Sequence, residues 1–412
     1  MGARVCAPKR LRPHNLDRST HPLPPPCPKG EFMSWLDWPF FEPRHRALAA
    51  ELDQWCADHL TDVHADDVDQ ACRALVRNLG AAGLLRLCVS DGDRPPDVRS
   101  LAIARATLAY HSGLADFAFA MQGLGSGAIS LFGDAEQRAD WLPGIAGGSA
   151  IAAFAMTEPG CGSDAARMEC RAVRDGTDWV IDGDKTYISN GPIADVMTLF
   201  ARTSDDGARG LSAFILPAAN PGLTIAERIE VIAPHPLAWL RLDGVRLPAS
   251  ALIGAPGDGF RIAMQTLTLF RVTVGAAALG FGRRALAEAL KFAATRKLGD
   301  ATLADNAVTQ ERLGDMATAL DASALLIARA AWAQDISPAD NRRAAAMAKL
   351  HATEEASRVI DLAVQMHGGL GVTRGVKVEE LYRDIRALRI YEGASEVQRQ
   401  IIARDLLKEH RA

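Results

Sequence analysis

Two stretches of this chain carry side chains whose types and spacing suit chemistry. The first runs Thr157-Glu158-Pro159-Gly160-Cys161-Gly162-Ser163-Asp164 and is answered, after a hairpin, by Tyr187-Ile188-Ser189-Asn190-Gly191. Pro159 and Gly160 stop any regular element and force a turn. Gly160 and Gly162 leave the backbone bare to a flat ligand. Two polar-tipped segments joined this way suit the rim of a planar, hydrogen-bonding cofactor. By composition alone, an ordinary sheet edge with a Pro-Gly turn is the better reading. The second stretch is Arg389-Ile390-Tyr391-Glu392-Gly393-Ala394-Ser395-Glu396-Val397-Gln398-Arg399. Gly393 permits a sharp turn and the run after it is helical, so Glu392 stands where a loop meets a helix N-terminus. Alone, such a Glu is more often a solvated first-turn acid favoured by the helix dipole.

Taken together, the Thr157–Asp164 and Tyr187–Gly191 strings resemble the acyl-CoA dehydrogenase family of flavoenzymes, in the family's order and spacing. The resemblance covers about residues 40 to 408, and a motif of this length is far more specific than a lone GxGxxG. It implies an α+β fold with a helical N-terminal domain, a middle β-domain and a C-terminal four-helix bundle. It implies FAD as cofactor and α,β-dehydrogenation of an acyl-CoA to the trans-2-enoyl-CoA. Glu392, in its Tyr-Glu-Gly setting, then becomes the base for the α-proton, and the flavin accepts the β-hydride. The chemistry needs both parts. A thioester α-proton is weakly acidic, so its removal requires an aligned base in a site that excludes water. Desolvation raises a carboxylate's pKa and makes it a better base. No side chain accepts a hydride.

The same resemblance assigns further roles, residue by residue. Met156, Thr157, Ser163, Tyr187 and Ser189 hold the flavin, with Ser163 also on the thioester side. Tyr391, Gly393 and Arg271 meet the substrate. Gln365 and Gly369, in Gln365-Met-His-Gly368-Gly369-Leu-Gly371, match a loop that holds the diphosphate of a neighbouring subunit's FAD, and Arg296 reaches the same region. Ala394 and Glu396 complete the cofactor set. Some members carry the base one residue before an Arg on an earlier helix. Here Phe270 precedes Arg271, which closes that location. Gly299, Asp300 and Ala307 depart from the family's usual Phe, Gly and Gln, and Glu396 stands where a neutral amide is common. The adenine end is therefore expected to be held less firmly, or the subunit contact to differ. His367 reads as a packed or capping histidine rather than a ligand. Implied partners are acyl-CoA, an electron-transfer flavoprotein and further copies of the chain, as a homodimer or homotetramer. The alternatives are the same chemistry on a carrier-protein thioester, an enoyl reductase, or a catalytically silent flavoprotein scaffold, the last disfavoured by an intact Glu392.

The elements that must position these residues follow from pattern. The 412 residues suffice for two or three domains, and 48% are hydrophobic. A formal charge of −4 argues against a general nucleic-acid binder. Seven scattered cysteines, without a CxxC pair, read as free thiols in a reducing, cytoplasmic setting and not as a zinc site; no metal is expected. No uninterrupted apolar run reaches the length of a membrane span. Residues 1–32 are basic and Pro-rich and are expected to be a disordered, dispensable extension. Residues 33–152 read as helices, 153–256 as short β-branched runs between turns that suit antiparallel sheets, and 257–412 as a helical bundle. In the first helical part, Gly123-Leu-Gly125-Ser-Gly127-Ala128 formally matches G-x-G-x-x-A. The segment before it, Ala109 to Met121, does not read as a strand, so Gly-rich packing between helices is expected instead of a dinucleotide site. Leu313, Met316, Leu320 and Ile327 share one helical face, as do Met347, Leu350, Val359, Leu362 and Met366.

Overall fold

The structure, a computed structural model, describes residues 34–60, 67–90, 96–337 and 341–411. The expected N-terminal extension, residues 1–32, lies outside the described residues.

Five helices open the fold: α1 (Pro43–His59), α2 (Val68–Ala81), α3 (Val98–His111), α4 (Gly113–Phe132) and α5 (Ala135–Ala146). Side-chain caps set their starts. Asp67, Asp97, Ser112 and Asp134 each accept a backbone N–H from the first turn of α2 to α5 respectively. The glycine string does not break α4, which runs through it. It thins the helix where another helix packs on it, the Gly-rich helix packing expected from the sequence. A Cβ on Gly123 or Gly127 would lie 2.7 Å from Phe270 or Thr266, and one on Gly125 would lie 2.7 Å from Ala152.

Eight strands follow: β1 (Ala152–Ala155), β2 (Arg171–Asp175), β3 (Asp178–Ser189), β4 (Val196–Arg202), β5 (Leu211–Pro217), β6 (Leu223–Arg228), β7 (Leu237–Leu247) and β8 (Leu252–Ile253). They form one network in the order β6-β7-β3-β2-β4-β5-β8, with β1 added on β4. The expectation of purely antiparallel sheets needs correction, because β4 runs parallel to both β1 and β2. The chain first enters the sheet at β1, coming from helix α5 and not from a hairpin, which leaves β1 free to pair parallel to β4. Trp179, Ile181, Leu199, Phe214 and Leu240 are among the side chains of a core private to these strands. The β3–β7 register slips between Lys185 and Ile188. At that bulge Tyr187 adopts φ +54° and turns outward, 63% exposed.

The last third holds α6 (Gly259–Thr295), a small hairpin of β9 (Lys297–Leu298) and β10 (Ala301–Thr302), then α7 (Ala307–Ile336), α8 (Arg342–His367), α9 (Lys377–Leu388) and α10 (Ser395–Arg411). α6 to α9 make the bundle and α10 lies along α8. α6 is its axis. A Cβ on Gly280 would lie 2.2 Å from the carbonyl oxygen of Ala106 in α3, and one on Gly275 would lie 3.2 Å from that of Ala348 in α8. Backbone therefore meets backbone where α6 touches α3 and α8. α6 and α7 satisfy length and hydropathy for a membrane span, unlike the sequence expectation, because their alanines keep the average high between charges. Burial of 78% of the α6 window and 50% of the α7 window within the fold explains that apolarity as core packing. The α8 face needs correction in part. Val359 and Met366 are buried as expected, but Met347, Leu350 and Leu362 are only half-buried, and the fully buried side chains there include Ala345, Ala348, Lys349, Ala352 and Ala356.

Candidate active site

The turn that carries Glu392 is held in a shape that few residues adopt. Glu392 has φ +50° and Gly393 φ +92°. Left-handed backbone at a non-glycine residue costs of order 1–3 kcal/mol and persists only where the surroundings enforce it. Here the enforcement is visible. The Gly393 carbonyl accepts hydrogen bonds from Lys349 Nζ at 2.6 Å and Gln398 Nε2 at 2.7 Å, and the Tyr391 carbonyl accepts one from Lys349 Nζ at 3.1 Å. Either side of the turn, Glu354 of α8 pairs with Arg389 at 2.7 Å and accepts from Ser395 Oγ at 2.5 Å.

Into this turn three helices deliver cations. α3 brings Arg105, α6 brings Arg271 and α8 brings Lys349. Arg105 is buried and forks onto Asp116 of α4 at 2.8 and 2.9 Å, and it also donates to Thr273 Oγ1 at 3.2 Å. Burial pushes the Glu392 carboxyl above its ordinary range; Arg105, Lys349 and Arg271 pull it back, while Asp116 adds to the rise. Burial likewise raises the Tyr391 phenol, opposed by Arg105. Burial lowers Arg271 from its ordinary value, opposed by Glu392. Glu392 Oε2 is sealed from water and has no hydrogen-bond partner, and Arg271 Nε is orphaned in the same way. A carboxylate oxygen left bare among packed groups is a costly arrangement that suits a proton acceptor.

The second wall is the turn after β1. Its partner segment on β3 is tied to it by Thr186 N–H donating to the Thr157 carbonyl at 2.9 Å. A bridge between Glu158 and Cys161 closes the Pro159-Gly160 turn. Behind it, Lys185 is fully buried and donates to Glu158 Oε1 at 2.7 Å and to the Met156 carbonyl at 3.1 Å. Glu158 in turn accepts the N–H groups of Glu169 at 2.5 Å and Cys170 at 3.1 Å. Met156, Thr157 and Ser189 lie half-buried at this edge, and Ser163 and Tyr187 are exposed. Asn190 is not on the rim. It is fully buried and donates to the Ala152 carbonyl at 3.1 Å, so its amide ties β3 to β1.

The remaining predicted residues stand elsewhere. Arg296 follows the last turn of α6, and Gln365 and Gly369 lie at the end of α8, all three exposed. His367 joins these two ends. It stacks on Phe292 at 4.3 Å and its Nδ1 pairs with the Ala363 carbonyl at 2.7 Å, a packed and capping role. The start of α6 packs on Ser212 of β5, and a helix of this length spans about 55 Å. A single chain therefore does not bring Arg296, Gln365 and Gly369 to the Thr157 wall. A Cβ on Gly368 or Gly369 would meet nothing within 4 Å. Ala394 is half-buried and Glu396 exposed at the start of α10.

Family models for the N-terminal, middle and C-terminal domains of acyl-CoA dehydrogenases match residues 42–149, 153–245 and 257–407. The chain belongs to the acyl-CoA dehydrogenase family. It is 37% identical to human mitochondrial short-chain specific acyl-CoA dehydrogenase over 347 residues, 82% of this chain and 84% of that one. It is 32% identical to a 3-(aryl)acrylate reductase from Clostridium sporogenes, over 90% of this chain and all of the relative. A glutaryl-CoA dehydrogenase from Mycobacterium smegmatis, solved in complex with FADH2, superposes with a TM-score of 0.83 at 29% identity, covering 91% of this chain and 98% of that one. This acyl-CoA dehydrogenase is thus an FAD-containing oxidoreductase. Its own residues fit the cofactor: the hydroxyls of Thr157, Ser163 and Ser189 make no hydrogen bond within the chain among the described residues. At Gly160 and Gly162 a Cβ would meet nothing within 4 Å, so the backbone stays open to a flat ring system. Sequence reasoning missed Arg105, Asp116, Lys349 and the Lys185–Glu158 pair. The first three sit within helices and carry no local signal. Of the last two, Glu158 lies inside the quoted strings and Lys185 two residues before Tyr187, so this Lys could have been matched to the Glu of Glu-Pro-Gly.

Proposed function

We propose that this acyl-CoA dehydrogenase oxidises an acyl-CoA thioester across its α,β bond to the trans-2-enoyl-CoA, with Glu392 as the base. The observation that carries the reading is Glu392 Oε2: buried, unpartnered, and part of a carboxyl whose proton affinity burial raises. At that oxygen Glu392 takes the α-proton. Tyr391 and Gly393 set the direction in which the carboxylate faces, and Arg271 adds positive charge beside it. Thr157 and Ser189 orient the ring system with their free hydroxyls, and Ser163 stands toward the thioester arm. Phe270, 2% exposed, offers no proton acceptor at the position before Arg271, and its ring packs on Gly123 and Gly127 of α4. FAD, when bound, supplies the acceptor for the β-hydride.

The name of the human relative supports a short acyl chain, and that of the C. sporogenes relative supports a second reading in which the same site runs as an enoyl reductase. The exposed Arg296 and Gly368-Gly369 end supports an assembly in which that end serves another subunit's FAD, as a homodimer or homotetramer. An electron-transfer flavoprotein is the acceptor proposed for the electrons, and the five described cysteines, all free, fit a cytoplasmic setting. Glu392→Gln should retain FAD and slow anaerobic reduction by substrate about 10²–10⁴-fold. Bleaching within a few-fold of the parent rate would overturn the assignment. An anaerobic titration against acyl-CoA of graded length, run beside reduction of 2-enoyl-CoA by the dithionite-reduced enzyme, separates the two directions.

A further inference from the structure

Lys349 is 0% exposed. No carboxylate lies within ion-pair distance of it among the described residues, and its hydrogen bonds go to the carbonyls of Tyr391 and Gly393. A buried ammonium without a counter-ion is costly. Its neighbours on the buried stripe, Ala345, Ala348, Ala352 and Ala356, are all small, so Lys349 is the long side chain of this face. What it touches is the backbone on both sides of Glu392.

We propose that Lys349 is the positioning residue of the base: its ammonium grips the two carbonyls that flank Glu392, holds the turn left-handed, and places positive charge behind the carboxylate. This rests on Glu392 being the base. The groups that act on Lys349 most strongly, after burial itself, are Glu392 in the turn, Arg271 from α6, Glu354 from its own helix and Glu396 from α10. Burial brings Lys349 down to about 8. Around neutral pH the clamp is charged and lowers the proton affinity of Glu392; above that range it turns neutral and Glu392 loses a neighbouring cation. A clamp that served only the fold would hold the turn without touching the base's ionisation.

The test uses the FAD-loaded enzyme and a 3-thiaacyl-CoA, which has an α-proton to lose but no β-hydride to give. The pH midpoint of the long-wavelength absorbance that accompanies its ionised form reads the α-deprotonation equilibrium without turnover. Lys349→Met, close to isosteric but uncharged, should move that midpoint up by about one unit and slow flavin reduction by true substrate roughly tenfold or more. Lys349→Arg should restore the parent midpoint. It should also remove the step near pH 8 expected of the parent, because a guanidinium does not titrate there. A Lys349→Met midpoint equal to the parent's overturns the proposal. Should Lys349→Met not fold, a parent step near pH 8 that persists in Lys349→Arg overturns it instead. Failure of Glu392 as the base is distinguishable, because Glu392→Gln would then still remove the α-proton of the 3-thia compound.

Discussion

Lys185 and Lys349 are both fully buried, and both donate to backbone carbonyls at the edge of the site. They differ in what neutralises them. Lys185 has Glu158 at 2.7 Å, itself tied by two backbone N–H groups, so the flavin wall is a closed electrostatic unit. Lys349 makes its hydrogen bonds to carbonyls and has no carboxylate in ion-pair contact among the described residues; Glu392, Glu354 and Glu396 act on it only from a distance. The first arrangement makes a rigid wall. The second couples a wall to the reacting group. Under the proposed mechanism, one buried lysine serves mainly stability, and the other serves the proton affinity of Glu392 at some cost in stability.

Breaking the first lysine should show the larger effect. Lys185→Met leaves Glu158 charged, buried and unpaired, and removal of one partner from a buried pair costs about 3–5 kcal/mol. The expected outcome is a sharp fall in melting temperature with loss of FAD on gel filtration. Lys349→Met leaves no carboxylate stranded behind it, only the Tyr391 carbonyl, since Gly393 keeps Gln398. Its stability at neutral pH should stay within about 1–2 kcal/mol of the parent. A larger loss for Lys349→Met than for Lys185→Met would erase the distinction.

The pH dependence sharpens the same contrast. Lys349 loses its proton near 8 when folded and at its ordinary value of 10.5 when unfolded. Between these values the unfolded state binds more protons, so stability contributed at this site rises with pH through that window and is absent below it. The difference between parent and Lys349→Met, by chemical denaturation at pH 7.5 and pH 10, should therefore shift toward the parent, on the order of 3 kcal/mol over the full window.

Next in size is Gly393→Ala. The residue has φ +92°, and a Cβ there would lie 2.4 Å from Gln398 Nε2, displacing one of the two donors on the Gly393 carbonyl. A cost of about 1–3 kcal/mol, retained FAD and slower flavin reduction are expected in stopped-flow measurements. Smallest is removal of residues 1–32, which should leave melting temperature and flavin content unchanged; a loss of several degrees would show that this segment packs on the fold.

Much of the site is legible in the sequence, but unevenly. The Thr157–Asp164 and Tyr187–Gly191 strings and the Glu392 turn differ in this respect from the helices. Turn residues such as Pro159, Gly160 and Gly393 announce their own geometry, whereas Arg105 and Lys349 lie in alanine-rich helices. Periodicity there selects large side chains, so it favours Met347 and Leu350 for the buried face, and a lysine among alanines reads as solvent-facing. Only the backbone contacts at Gly275 and Gly280 show that the alanine face is the inner one. Asn190 misleads for a related reason. An amide at a strand end reads as a ligand contact, and nothing local tells that its partner is the Ala152 carbonyl on a strand that runs parallel to β4. The direction of β1 depends on where α5 ends, which is a tertiary fact.

The glycines of α6 have a consequence for how this chain tolerates changes of length. Gly275 and Gly280 sit against Ala348 and Ala106, each the immediate neighbour of a cation that acts on Glu392. A helix turns about 100° per residue, so one residue inserted between Phe260 and Arg271 would swing both glycines off their contacts and carry Arg271 out of the site in the same motion. Insertions in the loop at 254–258 leave the helix phase alone. Length variation that preserves catalysis is therefore expected to accumulate before α6 begins and not within its first three turns, and a library of single-residue insertions scored by flavin retention would map that boundary.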